Sequence, residues 1–180
     1  MDEQNINTTK ILQYIQANPG SHLREIKREL DMAMGTIQYH LDLLEKQGKI
    51  ISERQNFRKF YFPIGIFAEN QRNILKIIKQ ETSREILLFI IEKNNPTQHE
   101  IVDKIQISAS SVNWHLDRLK KTDIIYELRD GKYKRYSIKI KPAEIIALIK
   151  NYHPTIWDQW SGRLIETFLS LSTNGETKND

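Results

Sequence analysis

TIQYHLDLL, residues 36–44, and SVNWHLDRL, residues 111–119, decide how this chain is read. Each nonamer sets an aliphatic residue at i, i+4 and i+7: Ile37, Leu41 and Leu44 in the first, Val112, Leu116 and Leu119 in the second. That spacing marks the face of an α-helix turned into a core. The nonamers lie 75 residues apart, and the offset holds far beyond them: residues 11–62 fall on 86–137 without a gap, with 14 identities in 52 positions. ILQYI (11–15) meets ILLFI (86–90), Glu25-Ile26 meets Glu100-Ile101, and Ile50, Arg54, Lys59 and Tyr61 meet Ile125, Arg129, Lys134 and Tyr136. Two copies are too few for a solenoid, so this is a duplicated small domain.

Working outward, each copy has one plan. A first helix is expected over Thr8–Ala17, with Ile11, Leu12 and Ile15 on one stripe, ended by Asn18-Pro19-Gly20. Ser21 is the expected N-cap of a second helix ending near Leu30. A turn at Asp31-Met32 leads to a third helix over Ala33–Gln47, stopped by Gly48. The period then changes from helical to alternating, and Lys49–Arg54 with Lys59–Phe62 read as a hairpin. In the second copy Asn94-Asn95-Pro96 is the breaker, Ser108 caps the third helix, and Asp130-Gly131 signals a type I′ hairpin turn. Three short helices with a tight turn between the second and third, followed by a hairpin, describe a winged helix-turn-helix, in which the third helix lies in the DNA major groove and the hairpin is the wing. The fold class is therefore mainly α with small β wings (α+β). The expected organisation is a first winged domain (1–66), a connecting helix (67–82) reading on toward the next helix, a second winged domain (83–140), C-terminal helices (141–173) and a polar tail (174–180).

The pattern [ST]-[IV]-x-[YW]-H-L-[DE]-x-L resembles the recognition helix of ArsR/MarR-type regulators, and two such modules in tandem resemble the paired winged-helix transcriptional regulators common in archaea. The resemblance covers residues 8–140 and implies DNA-facing roles for Thr36, Gln38 and Tyr39 in the first copy and Ser110, Ser111, Asn113 and Trp114 in the second. The chemistry of these residues agrees. Gln38 and Asn113 share one station, where an amide can bond the edge of adenine bidentately. Thr36 and Ser111 stand in the first helical turn, where the dipole favours an anion. Two features depart from the pattern. Asp42 and Asp117 stand where many relatives have a base, and Ala33 and Gly35 leave the first recognition helix without its usual cap. Arg118, Lys120 and Lys121 make the second copy the stronger expected binder.

Charge points the same way. The chain has 180 residues, 39% hydrophobic and 28% charged, with a formal net charge of +4. The excess gathers in Arg118–Lys139, which holds eight bases and three acids. Such a stripe is either a nucleic-acid footprint or a solvated face. In the wings, Arg54, Arg58 and Lys59 and then Arg129, Lys132, Lys134 and Arg135 are the bases expected to clamp phosphates or enter the minor groove, with Phe57 and Tyr133 among them. The bland reading is that they protect an exposed sheet edge from aggregation.

The absence of cysteine excludes disulfide frameworks, thiolate zinc fingers, iron–sulfur clusters and cysteine nucleophiles. The longest apolar run, Ile86–Ile91, is six residues, far short of a membrane span. With the polar opening MDEQNINTT, this leads to a cytoplasmic expectation. No phosphate loop, nucleophile elbow, HExxH or Rossmann glycine run is present, so no catalytic residue, cofactor or metal is expected. His40 and His115 sit beside the core stripe and read as structural, bonding helix one or the wing. His153 and Asp158 are too few to make a metal site.

Residues 142–152 form a further helix, and Pro154 opens a last one whose Trp157, Trp160, Leu164 and Phe168 form a broad apolar face. Such a face needs a partner, either its own winged domains or the same helix of a second chain in a homodimer. The expected partners are double-stranded DNA, a second copy and the transcription machinery. The alternative is a winged-helix protein scaffold with little sequence-specific DNA binding, and an RNA-binding winged helix is a third reading. Reversing Lys134 and Arg135 to Glu is the test the sequence suggests: DNA binding is lost if the chain is a DNA reader, and retained partner binding identifies a scaffold.

Overall fold

The computed structural model describes residues 3–55 and 57–162. The chain divides into two compact units, Met1–Lys76 and Ile77–Asp180. The first contains α1 (Glu3–Ala17), β1 (Ser21–His22), α2 (Leu23–Leu30), α3 (Met34–Lys46), β2 (Ile50–Gln55), β3 (Arg58–Pro63) and most of α4 (Glu69–Ile78). The second contains α5 (Glu81–Lys93), α6 (Gln98–Ile105), α7 (Ala109–Lys121), β4 (Ile125–Asp130), β5 (Tyr133–Ile138) and α8 (Pro142–Tyr152), followed by helical residues 154–162. From α2 to β3, every boundary of the first unit's helices and hairpin recurs 75 residues later.

The cores repeat as faithfully as the elements. Ile11, Ile15, Ile26, Ile37, Leu41, Leu44, Ile50 and Tyr61 form the first, all at most 4% exposed. The residues 75 positions on, Ile86, Ile90, Ile101, Val112, Leu116, Leu119, Ile125 and Tyr136, are buried to the same degree. In each unit the first two helices pack on the third, so the stripe at i, i+4 and i+7 is the axis of its core. Truncating one of these leucines to alanine costs on the order of 2–5 kcal/mol, a large part of a small domain's stability.

Local signals set the helix ends, with one correction. Ser21 is not the N-cap of α2. His22 is, its Nδ1 accepting from the Glu25 amide at 3.1 Å, while the buried Ser21 hydroxyl donates to the Asn18 carbonyl at 2.7 Å. Ser21 cannot cap because it has been drawn into β1, which pairs with β3 and gives the sheet the order β1-β3-β2. The second unit keeps only the corresponding bridge, Thr97 to Arg135, beside the two-stranded β4-β5 sheet. Thr97 there forms a full capping box with Glu100. Ser108 caps α7 as expected, and Ala33 gives α3 no side-chain cap.

Two other expectations change. The strands β4 and β5 enclose Gly131-Lys132, with Asp130 already paired to Tyr133. Of the two loop residues only Gly131 has positive φ (59°), the type II′ pattern rather than type I′. The connecting segment does not run straight into the next helix. α4 ends at Ile78, and Gln80, extended at φ −103° and ψ 106°, begins a new helix as the residue before Glu81.

α4, whose Ile74 and Leu75 are buried, is tied to β2 of the first unit by a charge clamp. Glu53 on β2 accepts from Arg72 and, at 2.7 Å, from Lys76, whose ammonium stem is 5% exposed. Burial alone would raise the Glu53 pKa, but hydrogen bonds from Lys76 and Arg72 carry it below the usual carboxylate range. Position 128 of the second unit, the counterpart of Glu53, is a leucine, so the clamp belongs to the first unit alone. Replacing Glu53 with Gln withdraws the charge that balances a buried lysine. It should destabilise the first unit by about 3 kcal/mol, seen as an earlier urea transition of that unit, and an unshifted transition would refute the clamp.

Candidate nucleic-acid interface

α3 and α7 each turn one stripe inward and leave the other in solvent. Gln38, Tyr39 and Asp42 are exposed on α3, with Thr36 half-buried; Ser110, Ser111, Asn113, Trp114 and Asp117 are exposed on α7. The large rings Tyr39 and Trp114 remain 55% and 51% exposed. Each is held edge-on by the histidine that follows it, with ring centroids 5.1 Å apart for Tyr39–His40 and 4.8 Å for Trp114–His115. The histidines are in turn fixed to the first helix of their own unit: Thr8 Oγ1 lies 2.9 Å from His40 Nδ1, and Ser83 Oγ lies 2.8 Å from His115 Nδ1. A hydroxyl on the first helix thus orients an imidazole, and the imidazole braces an aromatic ring on the outer face. This is the structural role expected for both histidines, and it carries the repeat back to Thr8 and Ser83.

The N-terminal turns differ as their sequences do. Ser108 Oγ lies 3.0 Å from Ser110 Oγ and 2.8 Å from Ser111 Oγ and accepts from the Ser111 amide, making a hydroxyl cluster at the start of α7. α3 begins with exposed Met34 and Gly35. Further along α7, Arg118 is only half-exposed. It donates to Gln80 Oε1 at 2.7 Å and lies over the Trp114 ring at 4.6 Å, so it supports the aromatic from behind. Asp117 pairs with Lys120 at 3.0 Å, and Lys121 is exposed.

The wing bases fall into two groups. Lys59 is held by Glu45 of α3 at 2.7 Å, and Lys134 by Glu127 of β4 at 3.0 Å, while Glu127 also takes Lys120 of α7 at 3.0 Å. Hydrogen bonds from Lys120 first, and then Lys134, keep the Glu127 carboxyl below the ordinary range. Arg135 bonds Asp130 at 2.7 Å and the Asn95 carbonyl at 3.1 Å, stitching β5 to the α5–α6 turn. These three bases stabilise the wings from within. Arg54, Arg58, Arg129 and Lys132 form the second group: all are exposed and, among the described residues, none makes an ion pair. Lys132 covers the Tyr133 ring at 5.2 Å. An open cavity of about 360 Å³ lies between the starts of α6 and α7 and the second wing, lined by Thr97, Gln98, His99, Val102, Ala109 and Lys132 to Lys134.

The capping box at Thr97–Glu100 went unread in the sequence, although its [ST]-x-x-[DE] spacing is a local signal that could have found it. The carboxylates that hold the wing lysines had no such signal, because they act between separate elements. Of the C-terminal aromatic residues, Trp160 is buried, with the Arg84 guanidinium 5.6 Å from its ring, and Trp157 is half-buried with Lys150 5.9 Å from its ring. Leu164 and Phe168 lie outside the described residues. Among the described residues, no group of three potential metal ligands comes together and no helix is long and apolar enough to cross a membrane.

A family model described as an N-terminal HTH domain matches residues 6–75, and one described as winged helix-turn-helix DNA-binding matches residues 79–126. The chain is 32% identical over 66 residues to the transcriptional repressor SdpR of Bacillus subtilis, covering 37% of this chain and 72% of that one. The chain belongs to the winged helix-turn-helix transcription regulators. This regulator is also 29% identical over 143 residues to an uncharacterized HTH-type transcriptional regulator of Methanocaldococcus jannaschii. That match covers 77% of this chain but 36% of the relative, so the chain spans about a third of the relative's length. The structure of HlyU from Vibrio cholerae aligns over 46% of this chain and 91% of its own, at 20% identity and a TM-score of 0.41.

Burial, and then the nearby Arg118 charge, depress the His115 pKa below its ordinary 6.5. A neutral His115 is therefore the form the folded regulator prefers. As pH falls below 6.5 the unfolded chain takes up this proton first, so the second unit should lose stability toward the lower folded-state value. Urea unfolding at mildly acidic and neutral pH should show a smaller acid-induced loss in His115→Gln than in the wild type. Equal losses in the two proteins would refute the assignment.

Proposed function

We propose that the chain is a sequence-specific double-stranded DNA-binding regulator that reads promoters as a homodimer. The observation that carries this reading is the repeated outer surface of the two units. At the same stations, 75 residues apart, each third helix exposes an amide (Gln38, Asn113) and a braced aromatic ring (Tyr39, Trp114) beside a hairpin with ion-pair-free bases. The amides suit base edges, and the aromatic rings suit thymine methyls or the sugar-phosphate wall. Arg54, Arg58, Lys121, Arg129 and Lys132 supply the phosphate contacts that give affinity and salt dependence. The hydroxyl cluster at the start of α7 and the denser basic surface around it favour the second unit as the tighter binder. Lys59, Lys134, Arg118 and Arg135 act chiefly by holding wings and rings in place.

One observation favours the scaffold reading for the first unit. α3 opens with exposed Met34 and Gly35, has no cap, and carries exposed Asp42. A partner protein rather than phosphate suits such a helix. Dimerisation rests on the helix that begins at Pro154. Trp160 is already buried and Trp157 half-buried, so of these two Trp157 has the surface to offer a second chain.

Lys134 and Arg135 are poor sites for a charge-reversal test, because each is part of a wing's internal ion pairing. Arg129 and Lys132 are clean sites. Selection of duplexes from fragmented genomic DNA at near-physiological salt should enrich an inverted-repeat motif. The Arg129→Glu, Lys132→Glu variant should bind that motif more weakly, with a salt slope smaller by about 2. A dimeric mass in solution is expected. No enriched motif would defeat the DNA-reading proposal, and a monomeric mass would defeat the dimer.

A further inference from the structure

The two wings end in different chemistry. Both are two-residue hairpins of six-residue strands, and the second loop position is Phe57 in one and Lys132 in the other. Burial fades along the first hairpin, from the buried end of β3 at Phe60–Pro63 to the exposed Arg58 at its tip. With strands of about 3.3 Å per residue, the tip stands some 20 Å from the hairpin's base. Phe57 occupies that tip at 106% exposure, the most exposed large apolar residue among those described. Among the described residues no ring or cation packs on it, whereas the aromatic residue of the second tip, Tyr133, is covered by Lys132. Phe57 does nothing for the core, and what distinguishes it from a chance exposed apolar residue is its place at a hairpin tip between two arginines unpaired among the described residues.

Its surroundings identify that partner. Arg54 and Arg58, both exposed and without ion pairs among the described residues, flank the ring on the two strands. An apolar protein pocket would have to desolvate both guanidiniums. A duplex offers phosphates to the two arginines and a stack of bases, between two backbones, to the ring. Apolar side chains set among bases in this way enter a base step from the minor groove and kink the helix.

We propose that Phe57 is an apolar wedge that partly unstacks one base step of duplex DNA, with Arg54 and Arg58 anchoring the phosphates on either side, while the second wing contacts DNA through cations alone. The proposal rests on the DNA-binding reading above. It makes the first unit, whose recognition helix is the less suited to base readout, a sensor of how easily a site deforms. Sequence preference at the wedge should then follow the flexible pyrimidine–purine steps rather than hydrogen-bonding pattern.

The test uses the full chain and the duplex most enriched by selection, labelled at its ends with a donor–acceptor dye pair and carrying 2-aminopurine at successive positions. Wild type should shorten the end-to-end distance and brighten 2-aminopurine at one step. Phe57→Ala, whose side chain supports nothing in the fold, should bind about tenfold more weakly and lose both signals, and Phe57→Leu should retain both. Retained binding by Phe57→Ala with unchanged bend and 2-aminopurine signal would overturn the wedge alone. Failure of the wild type to retain any duplex would overturn the DNA-binding reading and the wedge with it.

Discussion

Both units depend on the burial of one helical stripe. Ile37, Leu41 and Leu44, and their counterparts Val112, Leu116 and Leu119, take the third helix into the core, and that choice fixes everything on its other side. Residues on the far side of the helix from the stripe are turned outward, so Gln38 and Tyr39, or Asn113 and Trp114, become the presented surface. The stripe does this without any polar specification, because burial is non-directional and only the helical period converts it into orientation. Polar precision is added by the histidine beside the stripe. Linking it to a hydroxyl on the first helix fixes the ring, and the ring sets the plane of the aromatic residue before it.

The two copies also show what a wing requires. In the first, Glu45, Ser52 and Lys59 form a group in which a helix carboxylate holds the wing lysine, and Ser52 bonds the same carboxylate. In the second, the equivalent positions are Lys120, Glu127 and Lys134, and the carboxylate has moved to the strand between two lysines. The charges have been exchanged but the tie between helix and wing persists. An exposed two-stranded hairpin is marginal by itself, and a hydrogen-bonded ion pair between strand and recognition helix limits how it can swing. Such a pair contributes modestly to stability, and its larger effect is geometric.

Divergence between the copies spares the core. Eight core positions change only from Ile37 to Val112, while the helix starts, the wing tips and the position of Glu53 all differ. The shared core carries differing surfaces: a hydroxyl cluster opens α7 where α3 opens with exposed Met34 and Gly35, and the loop position held by Phe57 in the first wing is Lys132 in the second.

The duplication, the element order, the cores and the outward stations of Gln38 and Asn113 were all legible in the sequence, because each follows from period and local chemistry: 3.6-residue spacing, alternation, and breakers such as Asn18-Pro19-Gly20. The misreadings came where a non-local pairing overrode a local signal. Ser21 is a good capping residue, but pairing with Tyr61, forty residues away, took it into a strand. Asp130-Gly131 is a good turn pair, but the register of β4 on β5 put only the glycine in the loop. Composition could identify the wing bases yet could not divide them into those that hold the wing and those left for solvent. That division depends on which carboxylate lies within about 3 Å of each ammonium or guanidinium, and such distances exist only once strand, helix and turn are brought together in the folded chain.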